Sequence, residues 1–144
     1  RSDIAFSADV IVGFPGETER SFRDTISLIE EVRFDVLYSF RYSPRPGTKA
    51  AEMDDDVPLE EKKSRLKELQ AIQRRITLEN NRARIGKAEE VLVDGTSARH
   101  VDQVHGRTRQ NAIVNFSAPS SLIGSLVNVR VTRANPNSLT GEII

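Results

Sequence analysis

The chain has 144 residues, and its 21 basic and 21 acidic side chains give a formal net charge of zero. It contains no cysteine, which excludes disulfides, thiolate metal sites and a cysteine nucleophile within these residues. No apolar run reaches the roughly 18 residues of a membrane-spanning helix, and no signal peptide opens the chain. We therefore expect a cytoplasmic protein without a membrane partner, and the missing initiator Met predicts a piece of a longer protein.

The charges are unevenly distributed along the chain. Residues 1–57 hold 7 basic and 12 acidic side chains, whereas residues 58–87 hold 9 basic and 4 acidic ones. Farther on, residues 99–133 hold five Arg against one Asp. A basic zone inside a neutral chain indicates either a surface for a polyanion or a solvated helix face with ordinary surface arginines.

The first 42 residues predict a strand, a helix and a second strand. Residues 8–13 form a short apolar run that is typical of a buried parallel strand. Thr18 is a candidate N-cap for the following helix, and residues 35–42 form a second strand-like run. Arg33 falls where a left-handed helix cap is expected, at a cost of up to about 1 kcal/mol. The helix has an apolar face made of Phe22, Ile26, Ile29 and Val32.

A proline-rich loop over residues 43–57 leads to a long predicted helix from Pro58 to about Arg84. Its apolar stripe comprises Leu59, Leu66, Leu69, Ile72 and Ile76. After Gly86, five strand-like pieces separated by turn residues predict a small β-barrel. We therefore predict an α/β domain over residues 1–84 and an all-β domain over residues 85–144.

Two candidate sites lie where the predicted parallel strands end, which is where α/β proteins bind ligands. The bend from Gly13 to Glu17 lacks the lysine of a P-loop and the three glycines of a dinucleotide motif. Glu17 either accepts hydrogen bonds from an amine or a ribose hydroxyl, or simply favours the positive end of the helix. Arg41 and Arg45 either hold a carboxylate or an RNA phosphate, or are solvated.

The all-β region carries polar side chains that suit contacts with phosphates and base edges. They are Arg107, Arg109, Asn111, Asn115, Arg130 and Arg133. Phe116 is either a stacking platform or a core residue. His100 and His105 have only Asp94 and Asp102 near them in sequence, so we expect no metal site.

Several motifs together resemble one family, the MiaB-type tRNA methylthiotransferases, which are radical-SAM enzymes. They are "DVIVGFPGETERSF", "FRYSPRPGTKAAEM", "LKELQAIQ" and "GRTRQNAIVNF…LIGSLVNVRVTRANPNSLTGEI". The resemblance covers essentially the whole chain and places it in the C-terminal part of such an enzyme. "YSPRPGT" leans towards the branch that acts on isopentenyladenosine in tRNA.

The resemblance implies a fold and two binding regions. The α/β part would be a βαβα piece of a radical-SAM partial barrel, with the apolar side of residues 8–42 left uncovered by the missing half. Its rim would border S-adenosylmethionine, and the following barrel would be a TRAM domain that holds the tRNA anticodon arm. The implied cofactor-binding residues are Gly13, Glu17, Arg41 and Ser43. The implied RNA-binding residues are Arg45, Arg107, Arg109, Asn111, Arg130 and Arg133.

The family's iron–sulfur clusters are held by cysteines, which this chain lacks. The resemblance therefore implies cluster ligands outside these residues and no catalytic residue within them, so the chain alone is expected to be inactive. The sulfur donor is not identified by the sequence. Two alternatives stay open: a stand-alone RNA-binding module, and a sister methylthiotransferase acting on threonylcarbamoyl-adenosine or on a ribosomal protein.

Overall fold

The computed structural model describes residues 4–97 and 103–144. The chain packs as two units, of which one is Phe6–Ile76 and the other contains Thr77–Ile144. The division falls inside a long helix, so the domain boundary at residues 84/85 stays a prediction. In the described part of the chain, no helix is long and apolar enough to cross a lipid bilayer.

The first unit contains the predicted strand–helix–strand motif. Its elements are β1 (Ser7–Val12), α1 (Glu19–Val32), β2 (Val36–Arg41), a 3-10 turn (Lys49–Glu52) and the start of α2 (Leu59–Arg82). β1 and β2 run parallel, in a register that pairs Ser7 with Val36 and Val12 with Arg41. Both strands therefore end at the same edge, which brings the two candidate loops onto one rim.

The ends of α1 follow the sequence prediction. The Thr18 hydroxyl accepts a hydrogen bond from the Ser21 backbone N–H at 3.1 Å, so Thr18 is the N-cap. Arg33 takes the left-handed conformation at φ 55° and ψ 56°, and its N–H donates to the Ile29 carbonyl. A helix that ends in this way normally has glycine at the cap, because a Cβ strains the left-handed conformation.

α1 and α2 pack with one face of the β1–β2 pair around a shared apolar core. Its buried members are Val12, Phe22, Ile26, Ile29, Leu69 and Ile76. The predicted stripe of α2 is wrong at Leu59, which is 56% exposed because it opens the helix beyond this core. At the surface beside this core, Arg23 of α1 pairs with Glu68 of α2. The hydrogen bond to Glu68 raises the pKa of Arg23, and a second bond, to Glu19, raises it further.

The opposite face of the β1–β2 pair is not covered by any of the residues that the structure describes. Ile11 and Phe40 are register partners, and both are about half exposed (51% and 54%). Tyr38, two residues before Phe40 on the same strand, is exposed to the same extent. Parallel sheets are ordinarily covered on both faces, so this face carries an apolar surface typical of a sheet that continues in a larger structure.

The second unit contains a closed five-stranded barrel in the order β3-β4-β5-β7-β6. The strands are β3 (Ala88–Thr96), β4 (Gln103–Thr108), β5 (Ile113–Ser117), β6 (Leu126–Ala134) and β7 (Leu139–Ile143). Its fully buried side chains are Val91, Val93, Val104, Val114, Phe116, Val129, Val131 and Leu139. Phe116 is thus a core residue, which answers the question its sequence position left open.

Glycines allow the barrel wall to close. Gly106 on β4 lies so close to β3 that an added Cβ would overlap the Leu92 carbonyl oxygen and the Val91 side chain. Gly141 on β7 is equally close to Val129 and to the Arg130 backbone. Because backbone atoms cannot move aside as a flexible side chain does, these two positions exclude larger residues.

We expect Gly106→Ala to lower the free energy of unfolding of the barrel by about 3 kcal/mol, through overpacking against the β3 backbone. Gly95→Ala is the matched control, because an added Cβ there meets only the ring edge of His105 at 3.0 Å. Urea denaturation followed by circular dichroism measures both variants. If the two variants have the same free energy of unfolding, the strands shift to accommodate the added methyl group at Gly106 without loss of stability.

Candidate functional site

The bend that follows β1 is closed on itself by Glu17. The Glu17 backbone N–H donates to the Phe14 carbonyl at 2.8 Å. The Glu17 side chain folds back, and its Oε2 accepts a hydrogen bond from the Gly13 N–H at 2.7 Å. Gly13 and Gly16 both have positive φ, at 68° and 79°, which glycine adopts without strain. Glu17 thereby fixes the conformation of the bend.

Arg65 of α2 binds the same carboxylate. Its Nη1 donates to Glu17 Oε2 at 2.6 Å and to the Glu17 carbonyl at 2.9 Å, while its Nη2 pairs with Glu61. The side chains of Arg65 and Glu17 are only 5% and 10% exposed. A buried ion pair with a second carboxylate beside it holds the bend against the helix, and we call it the Glu17–Arg65 clamp.

Lys62, one turn earlier on α2, covers the start of the bend. An added Cβ at Gly13 would overlap its Cγ, so glycine is required there for space as well as for φ. The Lys62 ammonium pairs with Asp55 and lies 5.1 Å from the centre of the Tyr42 ring. Phe14 contacts the same ring edge-on, with 5.3 Å between ring centres. Aromatic and charged groups thus pack together beside the rim.

A depression of about 720 Å³ opens where β2 ends. Arg41 and Ser43 line it, together with Lys62 and Asp55. Gly13 and Glu17 lie behind Lys62 rather than in the lining, and Arg45 is exposed in the next loop. Of the four predicted cofactor residues, Arg41 and Ser43 therefore line the depression together. Gly13 and Glu17 do not line it and belong to the neighbouring bend.

Sequence reasoning missed the contributions of Lys62 and Arg65. Both lie in the basic stretch whose charge pattern indicates a polyanion surface or a solvated helix face. Counted over the whole residue, however, each is only 4% exposed. In the loop before α2, Asp55 pairs with Lys62, and Asp56 accepts a hydrogen bond from the Gly16 N–H at 2.7 Å. No sequence signal links these residues, because α2 lies more than 40 positions after the bend.

On the barrel, the predicted RNA-binding arginines divide into two groups. Arg107 lies 3.4 Å from Asp94, and Arg109 lies 2.9 Å from Glu90. Asn111 stands in the β4–β5 turn at φ 62° and accepts a hydrogen bond from Arg107 at 3.0 Å. This group therefore carries its own carboxylates, which offset part of its positive charge.

The second group lies on β6. Arg130 stands opposite Glu142 in the β6–β7 register and donates to the Gly86 carbonyl at 3.4 Å. Arg133 stands opposite Thr140, and no carboxylate among the described residues pairs with it. It lines a pocket of about 550 Å³ on the barrel wall, together with Asn115 and Thr140. The two groups of arginines thus differ in their electrostatic surroundings.

For residues 4–97 and 103–144, no group of three His, Asp or Glu side chains is arranged to hold a metal ion. His105 lies on β4 opposite Asn115. His100 and Asp102 lie outside the described residues.

The barrel matches a known domain family. Residues 82–144 fit the family model described as the TRAM domain, and this range contains all five barrel strands. The barrel matches the TRAM domain family, and we call it the TRAM domain below. The prediction of an α/β part followed by a small barrel of this type is confirmed at that level, and a radical-SAM origin of the α/β part stays a prediction.

The whole chain is also similar to larger proteins named tRNA-2-methylthio-N(6)-dimethylallyladenosine synthase. The protein of Syntrophobacter fumaroxidans is 52% identical over 142 residues, which is 99% of this chain and 31% of the relative. The protein of Pelobacter propionicus is 50% identical over 144 residues, which is 100% of this chain and 32% of the relative. The chain thus spans about a third of the length of these relatives and matches the C-terminal part of MiaB-type enzymes.

Removing the Glu17 carboxylate should destabilise the unit that precedes the TRAM domain. Glu17→Ala leaves Arg65 buried with Glu61 in contact and Glu19 farther away, at 3.9 Å. We therefore expect a loss of about 3 kcal/mol, the lower end for one lost partner of a buried pair. Urea denaturation measures it, with Asp24→Ala as the control because Asp24 is an exposed carboxylate on α1. If the two variants are equally stable, the clamp is not structural and Glu17 is free to contact a ligand directly.

Gly13 and Gly16 give a second test of the same bend. Both have positive φ, but only Gly13 also has Lys62 against its Cα. Gly13→Ala should therefore lower the free energy of unfolding by about 2 kcal/mol more than Gly16→Ala, because overpacking adds to the backbone strain. Thermal and urea denaturation of both variants give the difference, and equal losses would contradict the role of Lys62.

Proposed function

We propose that this chain is the C-terminal part of a tRNA methylthiotransferase. The proposed reaction adds a methylthio group to isopentenyladenosine next to the anticodon. The observation that carries the proposal is about 50% identity over the whole chain to proteins named for that activity. The parallel β1–β2 pair supports it, because its uncovered face suits a strand pair within a larger radical-SAM barrel.

S-adenosylmethionine is the proposed cofactor at the rim of the first unit. The depression beside β2 lies within the ordinary size range of small-molecule sites, about 300–1,000 Å³. Its lining offers the Arg41 guanidinium, the Ser43 hydroxyl and the Asp55 carboxylate, which suit the carboxylate, hydroxyls and ammonium of this cofactor. When bound, the cofactor supplies the radical and the methyl group. Gly13 and Glu17 would support the site by shaping the loop behind Lys62.

No residue of this chain fits an iron–sulfur cluster, because such clusters are held mainly by cysteine thiolates and the chain has none. The proposed clusters therefore belong to residues outside this chain. The contribution of these 144 residues would be to border the cofactor and to hold RNA, and the sulfur donor stays outside the proposal.

RNA binding is the proposed role of the TRAM domain, with the tRNA anticodon arm as partner. The proposed contacts are Arg45 in the first unit and Arg107, Arg109, Asn111, Arg130 and Arg133 in the second. Arginines suit phosphate oxygens, since the guanidinium donates two parallel hydrogen bonds. The carboxylates beside Arg107 and Arg109 would have to give up these partners when a phosphate binds.

Nucleoside analysis tests the enzymatic proposal. The longer protein that contains this chain would be expressed in a strain lacking its methylthiotransferase, and digested tRNA would be examined by mass spectrometry. We expect the methylthio derivative of isopentenyladenosine. A methylthio group on threonylcarbamoyl-adenosine or on a ribosomal protein would assign the sister activities instead. RNA binding without any methylthio product would favour a stand-alone RNA-binding module.

Removing the carboxylate partner of an arginine on the TRAM domain tests whether that arginine binds RNA. Glu90→Gln removes the carboxylate that pairs with Arg109, so the variant should bind an anticodon stem-loop several-fold more tightly at low salt. Glu142→Gln changes the same charge beside Arg130 and is the matched comparison. Fluorescence anisotropy over a salt series measures both. If affinity and salt slope stay unchanged in the Glu90→Gln variant, Arg109 does not contact phosphate.

A further inference from the structure

A pocket on the wall of the TRAM barrel lacks any assigned role. It has a volume of about 550 Å³, and its lining comes from β4, β5, β6, β7 and the β6–β7 turn. The lining residues are Ser97, Gln103, Asn115, Arg133, Asn135, Pro136, Asn137, Ser138 and Thr140. Among the described residues, the lining contains three asparagines, one glutamine and one arginine, and no Asp or Glu.

Strand register explains why these side chains meet. His105, Asn115, Thr140 and Arg133 are successive register partners across β4, β5, β7 and β6, so they form one outward-facing row. Arg133 joins the row because the β6–β7 register shifts between Val131 and Arg133. Val131 faces the core, and regular alternation would point Arg133 inward as well. The bulge therefore turns the guanidinium to the outside.

The turn beside the row is held in place by its own hydrogen bonds. The Asn135 N–H donates to the Ser138 carbonyl at 2.8 Å, which closes the turn. The Asn81 side-chain amide donates to the Asn135 carbonyl at 2.9 Å and supports it from α2. Asn115 makes one long bond, at 3.4 Å, to the Leu139 carbonyl. Its Oδ1 accepts no bond among the described residues, so an amide edge stays available in a preorganised setting.

The chemistry of the lining selects among ligands. A cation is disfavoured because the described lining offers no carboxylate and one guanidinium. A protein side-chain anchor is disfavoured because the lining within residues 4–97 and 103–144 has no large apolar group. Amide groups beside an arginine suit a nucleotide, since an amide matches the donor and acceptor pattern of a base edge and the guanidinium matches a phosphate. The sole Phe, Tyr or Trp of residues 77–144 is the buried Phe116, so in this pocket we expect hydrogen bonds to the base rather than aromatic stacking.

We propose that this pocket holds one unpaired nucleotide of the RNA, with Asn115 on the base edge and Arg133 on a phosphate. The proposal rests on RNA binding by the TRAM domain and adds where and how one base is read. It differs from the surface of Arg107 and Arg109, where carboxylates accompany the arginines. A stem-loop supplies such a nucleotide from its loop, because loop bases are not paired.

Binding of the 144-residue chain to a stem-loop RNA tests the pocket. Asn115→Ala should weaken binding by about tenfold, within the range for one base-edge contact, and leave the salt slope unchanged. Arg133→Ala should weaken binding and lower the salt slope by about 1, and Arg133→Lys should restore the slope. Asn128→Ala is the control, because Asn128 is an exposed asparagine on β6 opposite Glu90. Circular dichroism verifies folding. The near-isosteric Asn115→Asp removes the amide donor and adds a negative charge, so it should weaken binding at least as much as Asn115→Ala.

Abasic substitutions in the loop locate the nucleotide that the pocket holds. The wild-type chain should lose affinity at one loop position, and the Asn115→Ala chain should be insensitive at that position. If the chain binds RNA but Asn115→Ala and Asn128→Ala behave alike, the pocket proposal is wrong while RNA binding stands. If the wild-type chain binds no stem-loop at low salt, both proposals fall together.

Discussion

The candidate cofactor rim depends on one buried ion pair. Glu17 receives the Gly13 N–H and the Arg65 guanidinium on the same carboxylate oxygen, and so joins the end of β1 to α2. A glycine bend alone is conformationally free, since glycine loses the most entropy on folding. The clamp removes that freedom, and Lys62 then fills the space over Gly13. The Glu17 carboxylate thus fixes the backbone conformation of the bend, so a ligand would bind to a loop that is already ordered.

The TRAM barrel separates two kinds of positive surface by strand register. Arg107 and Arg109 lie beside β3, whose outward residues include Asp94 and Glu90. Arg133 lies beside β7, where its partner is Thr140. The guanidinium groups are chemically identical. To bind a phosphate, Arg107 and Arg109 would have to release a carboxylate partner, whereas Arg133 would not. Net charge along the sequence does not show this difference, because cross-strand neighbours decide it.

Much of the fold was predictable because local rules specify it. The Thr18 cap, the left-handed Arg33 and the five barrel strands follow from side-chain chemistry within a few residues. The TRAM assignment followed from motif order along the chain. Leu59 was assigned wrongly, since helical spacing does not show where the core ends. The contacts of Lys62 and Arg65 were missed, because long basic side chains look solvated until their partners are known.

The sequence by itself determined the elements, the glycine bend after β1 and the barrel family. The elements and the bend depend on backbone conformation and on periodicity, which are properties of short segments, and the family follows from motif order. Only the tertiary structure decided that Glu17 faces Arg65, that Phe116 is buried, and that Asn115, Thr140 and Arg133 share one pocket. These juxtapositions join residues up to 48 positions apart. A one-residue bulge on β6 is enough to turn Arg133 from the core to the surface.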